Sequence, residues 1–159
     1  MGLNAEQIVG VNMAQVNLLS ASVVRNICKT IVNYINANYD IPENLYLEYQ
    51  GLIDDRCISL QDLPEGIKVK EYLDGVSYVG QYSFMIFYRT YAQTMEERMN
   101  AISRLDDLCE WLENQEPNTG IEDLSINFIR QTQSSYLVSI AENGLLTYKA
   151  MMTVNFDKL

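Results

Sequence analysis

A chain of 159 residues with a formal net charge of −10 and no histidine is long enough to bury one hydrophobic core without disulfide or metal staples. The missing histidine excludes Ser-His and Cys-His nucleophile systems and most zinc sites, and the acidic balance disfavours a protein that reads nucleic acid through clustered Lys and Arg. Cys28, Cys57 and Cys109 are odd in number and lack C-x-x-C spacing, so they read as reduced, mostly buried thiols of a cytosolic product.

Residues 1–21 read as an N-terminal arm or short helix ahead of a single domain over residues 22–159. The stretch 7–24 carries no charge, but Gln7, Asn12, Gln15, Asn17, Ser20 and Ser22 interrupt it too often for a membrane span. The first basic residue is Arg25, so the charged n-region of a secretory signal is not expected. A helix over 22–38 follows, with Val24, Ile27, Ile31, Tyr34 and Ile35 on one face, and it stops before Ile41-Pro42 because a residue preceding proline is pushed out of the helical region. Residues 45–52 alternate Leu45, Leu47 and Tyr49 with Tyr46, Glu48 and Gln50, which predicts a strand; 57–60 reads as strand or loop.

Residues 67–91 predict a long antiparallel hairpin, in which Asp74-Gly75 supplies the positive backbone dihedrals of a tight primed turn. Its second strand is apolar on both faces: Phe84, Ile86 and Tyr88 on one, Met85, Phe87 and Tyr91 with Arg89 on the other. Such a strand is either covered twice within the chain, or covered once by helices and once by another chain. Thr94 and Glu97 fit a capping box at the start of a second helix, whose apolar stripe runs through Arg98, Ala101, Ile102, Leu105, Leu108, Cys109 and Leu112. After a turn-rich connector at 116–120, strands are expected at 124–131, 135–141 and, beyond Asn143-Gly144, 145–156. In the last of these, Leu146, Tyr148, Ala150, Met152, Val154 and Phe156 share one face and Thr147, Lys149, Met151, Thr153 and Asn155 the other. The fold class is therefore α+β: an antiparallel or mixed sheet with a long hairpin, packed on one face by two main helices.

No catalytic motif, cofactor fingerprint or metal-ligand spacing is present, so no catalytic, cofactor-binding or metal residue is assigned and no cofactor is expected. Asp106, Glu110 and Glu113 share a helix face, but they lack the ordered ligand spacing of a calcium loop and read as a wet surface. The 11 tyrosines outnumber 4 Phe and 1 Trp, and fall largely in predicted strands, where the ring packs and the hydroxyl reaches water or a neighbour.

In the order of its elements the chain resembles the tail-terminator proteins of long-tailed bacteriophages, also filed as minor capsid or tail completion proteins. The likeness is carried by VNYINANY, the hairpin with its FMIFYR strand, the RMNAISRLDDLCEWLE helix and the closing LLTYKAMMTVNF strand, and covers about residues 22–156. The resemblance implies a non-enzymatic virion protein of the neck region, made in the host cytoplasm. Such proteins form a hexameric ring on the head-proximal end of the tail tube, stop its growth and offer a surface to the head-tail connector. Its expected partners are therefore copies of itself, the tail tube protein and the connector, with DNA passing through unbound and no membrane involved. The candidate subunit interface is Met85, Phe87, Arg89, Tyr91 and Met151, and the candidate channel-facing acids are Asp54, Asp55, Asp62 and Glu65. Alternatives are a neck or head-completion protein of the same virion, or a small ligand- or partner-binding α+β domain; an enzyme using carboxylates and Arg89 is the least supported.

Overall fold

The computed structural model describes residues 18–51, 55–63 and 66–159. Helix α1 spans Ala21–Asn38 and buries Val24, Ile27, Cys28, Ile31, Val32 and Ile35. It ends as predicted ahead of Pro42, which opens a single turn of 3-10 helix, Pro42–Asn44. Four strands follow, β1 (Leu47–Tyr49), β2 (Cys57–Asp62), β3 (Ile67–Glu71) and β4 (Tyr78–Tyr91), then helix α2 (Met95–Glu113) and strands β5 (Leu124–Ile140) and β6 (Leu145–Lys158). The strands form one sheet in the order β1-β2-β4-β6-β5, with β3 paired to β4 beyond the end of β2. Only β1 and β2 run parallel, so the sheet is mixed and the fold is α+β.

The expected boundaries change at four places, each for a local reason. Strand β1 is only three residues long because Gln50 adopts φ 52° and turns the chain away. Its edge is closed by Asn36 of α1, whose side-chain amide donates to Leu47 O at 2.9 Å and whose oxygen accepts from Leu47 N at 2.8 Å. At the hairpin, Gly75 alone has positive φ, at 75°. Asp74 turns the chain through its carboxylate instead, accepting from Val76 N, Ser77 N and Ser77 Oγ, and these bonds hold its pKa below the usual carboxylate value. The two strands expected at 124–131 and 135–141 are one continuous strand, broken in register between Gln131 and Tyr136. Finally, Arg98 leaves the buried stripe of α2: it is exposed, and its guanidinium donates to Ala92 O and Gln93 O.

The α2 start is capped at both ends of the box. Thr94 Oγ1 accepts from Glu97 N at 3.1 Å, while the Glu97 carboxylate accepts from Gln93 N at 3.0 Å, one residue upstream of the usual target. Residues 1–17, and with them most of the expected arm, lie outside the described residues; Leu18 pairs with Ile67 and Leu19 packs against the core.

Both helices lie on one face of the sheet. Ala101, Leu105, Leu108, Cys109 and Leu112 of α2 join the α1 stripe over Tyr82, Phe84, Ile86, Tyr88, Tyr148, Met152, Val154 and Phe156. Trp111 wedges between the helices with its ring centroid 4.8 Å from that of Tyr39 and 5.8 Å from that of Tyr34. Gly80 is paired with Phe156, and the Phe156 ring occupies the space a Cβ at position 80 would take. Leu105 is 1% exposed at the centre of this layer. Leu105→Ala is expected to lower stability by about 2–5 kcal/mol, read as a drop in melting temperature or denaturation midpoint; an unchanged midpoint would put the wrong face of α2 against the sheet.

Candidate assembly surface

Strand alternation gives the sheet a second face, opposite the helices. The long pairing of β4 with β6 places Gln81, Ser83, Met85, Phe87 and Arg89 beside Asn155, Thr153, Met151, Lys149 and Thr147. Strand β2 adds Cys57, Ser59 and Gln61, and β5 adds Phe128, Arg130, Gln133 and Tyr136. Both described helices pack on the opposite face. All five expected interface residues come together on it: Met85 stands directly opposite Met151, Phe87 and Arg89 follow along β4, and Tyr91 closes the row. Met85, Phe87 and Met151 are half-buried by their neighbours within the sheet, Arg89 is buried and Tyr91 is exposed.

The two ends of the face differ in chemistry. Toward the β3 end it is polar and internally bonded: Ser83 and Thr153 hydroxyls lie 2.9 Å apart, and Asn127 donates to Asn155 Oδ1 and Asp157 Oδ1. Toward the other end it is apolar and cationic. Arg89 lies 5.0 Å from the Phe87 ring centroid and Lys149 5.3 Å from that of Tyr136, while Arg130, opposite Thr153 at the polar end, lies 4.1 Å from that of Phe128. The only ion pair among the described residues is Lys68 with Glu71, so no described carboxylate pairs with these three cations. The interface proposed from sequence omitted Phe128, Arg130 and Tyr136, because their placement depends on the register breaks in β5. Lys149 was legible from its alternation with Met151.

Of the expected channel acids, Asp54 and Glu65 lie outside the described residues. Asp55 is exposed and accepts from Arg56 N, whereas Asp62 ends β2 and accepts from Tyr49 OH at 2.7 Å and Gln50 Nε2 at 3.1 Å. Burial, with this bond to Asp62, raises the Tyr49 phenol above its ordinary pKa. The acids of α2 are divided too: Asp106 accepts from Gln131 Nε2 and Ser135 N, and Glu113 from Gln131 N, while Asp107 and Glu110 face solvent.

No protein-family profile and no curated protein matches this chain. Among the described residues no group of three His, Cys, Asp or Glu is placed to hold a metal ion. Two hollows, of about 480 and 450 Å3, lie on the helix side of the molecule. One is bordered by Asn26, Thr30 and Tyr34 with the 118–121 connector, and the other by Arg25, Tyr49 and Asp62.

The cysteines are free and buried. Burial pushes the Cys28 and Cys109 thiols up to about 12, Cys28 against the partly offsetting hydrogen bond with Tyr82 OH at 3.1 Å. Both should therefore stay protonated and shielded at pH 8. Alkylation of the native protein followed by peptide mass analysis is expected to leave both unmodified until denaturant is added; rapid native labelling of either would contradict the packing of α1 and α2 on the sheet.

Proposed function

We propose that this protein is a structural virion component of the tail-terminator kind, which assembles as a ring on the head-proximal end of a phage tail tube, ends its polymerisation and presents a surface to the head. One observation carries the reading. The sheet is covered on one side by α1 and α2, and on the other, where neither described helix packs, Met85, Phe87, Arg89 and Met151 form a continuous apolar and cationic strip. A strip of this kind on a central strand pair is what a chain keeps when another protein completes its fold. No catalytic role is assigned to any residue in this reading.

Phe87→Glu and Met151→Glu place a carboxylate on the strip without touching the helix-side core, where Phe84, Ile86 and Met152 are buried. Each variant is expected to keep its circular dichroism spectrum and melting transition while losing the ability to cap purified tail tubes, measured as tube length in a polymerisation assay. Normal capping by both folded variants would remove the strip from the interface. Binding to portal-bearing heads without any effect on tubes would move the protein to the neck.

In the assembled ring the acids Asp54, Asp55, Asp62 and Glu65 are proposed to border the DNA channel, where negative charge avoids the salt-dependent drag of phosphate contacts. Asp55 is the informative position, because it is exposed, whereas Asp62 is committed to Tyr49 and Gln50. Asp55→Lys is expected to leave capping normal and slow DNA ejection, more at low salt than at high; equal ejection at low salt would place this loop away from the channel.

A further inference from the structure

Arg89 is 8% exposed, yet its guanidinium has no carboxylate within ion-pair distance among the described residues. Its one polar contact among the described residues is Nη1 to Cys57 Sγ at 3.7 Å. A guanidinium so placed has lost part of its hydration and gains no counter-charge from the described residues, which makes it a seat for a carboxylate from a partner. Lys149, diagonal to it across the β4–β6 pair, is likewise held over the Tyr136 ring with no ion pair among the described residues.

The complementary charge lies on the other side of the same molecule. Helix α2 carries Glu96, Glu97, Asp106, Asp107, Glu110 and Glu113 against Arg98 and Arg104. Glu97, Asp106 and Glu113 are engaged by Gln93, Gln131 and Ser135. Asp107 and Glu110 are exposed, one turn apart, and their carboxylates make no hydrogen bond or ion pair among the described residues.

We infer that the outer sheet face of one copy docks on the solvent face of α2 of a second copy, with Arg89 and Lys149 meeting Asp107 and Glu110. A two-fold pairing of the sheet face with itself would set Arg89, Lys149 and Arg130 of both copies against one another, so like charges oppose it. The sheet-to-helix contact pairs opposite charges and gives every copy one face of each kind. It is a heterologous contact, which propagates from copy to copy and closes into a ring when each step carries a rotation. This inference rests on the ring-forming reading and names the two surfaces that meet. A single-stranded nucleic acid is the competing occupant of a cationic, aromatic sheet, but here the Phe87 and Tyr136 rings are already covered by their own cations and the chain carries a net charge of −10.

The test is a charge exchange followed by sedimentation velocity over a wide concentration range. Arg89→Glu alone, and Asp107→Lys with Glu110→Lys, should each shift the wild-type oligomer to monomer. An equimolar mixture of the two variants should restore it, because each then offers the face the other lacks. Should Arg89→Glu fail to fold by circular dichroism, Lys149→Glu on the more open neighbour takes its place in the mixture. Overturning results are a wild-type protein that stays monomeric at every concentration, helix variants that assemble normally, an equimolar mixture of the two variants that does not associate, or tight binding of a single-stranded oligonucleotide abolished by Arg89→Glu. Tube capping is scored separately. Restored self-association without capping supports the docking and removes the terminator reading, and capping that ignores the α2 charges does the reverse.

Discussion

The pairing of β4 with β6 is the constraint on which the rest of the molecule depends. It runs unbroken from Tyr78 opposite Lys158 to Tyr91 opposite Leu145. Because side chains alternate along both strands, this one register decides which residues enter the core and which face away; a slip of one residue would exchange the two sets. Phe84, Ile86, Tyr88, Tyr148, Ala150, Met152 and Val154 go to the helices, where each is at most 1% exposed. Met85, Phe87, Arg89, Lys149 and Met151 go to the open side. The apolar strip is thus a direct consequence of a core register, and no local rearrangement could hide it without disturbing that core.

The elements that were legible in the sequence are those whose signals are local. The end of α1 at Asn38 follows from Ile41-Pro42, the start of α2 from Thr94 and Glu97, and the two faces of β6 from strict alternation. What was not legible depends on partners far along the chain. The polar run Gln131–Ser135 looks like a break between strands, yet it continues β5 because Asp106 of α2 accepts from Gln131 and Ser135, and Ser135 Oγ donates to Ile102 O. Arg98 has the spacing of a core residue but is drawn to the carbonyls of Ala92 and Gln93 just before its own helix. The parallel pairing of β1 with β2 depends on the bonds between Asn36 and Leu47, which no periodicity reveals. The candidate surface follows the same division: Met85, Phe87, Arg89, Tyr91 and Met151 could be read from two alternating strands, while Phe128, Arg130 and Tyr136 needed the bulged register of β5.

Charge is distributed to match this two-sided build. Acids dominate α2 on the helix side, and the cations of the open sheet face are held over aromatic rings without carboxylate partners among the described residues. Cation–π contacts of about 0.5–1 kcal/mol at exposed sites orient these side chains but leave their charge uncompensated. A net charge of −10 adds long-range repulsion between copies, which the proposed contact of oppositely charged faces offsets in one orientation. Repulsion at long range with attraction in one orientation suits a protein that assembles on a template.

The central proposal is that the outer face, which neither described helix covers in a single copy, is covered in the proposed assembly. Oxidative footprinting of methionines tests it directly, because Met85 and Met151 are half-buried on that face while their neighbour Met152 is 0% exposed on the other. Met85 and Met151 should oxidise readily in the dilute monomer and become protected in the assembled state, with Met152 unreactive in both. Equal oxidation of Met85 and Met151 in monomer and assembly would contradict the account.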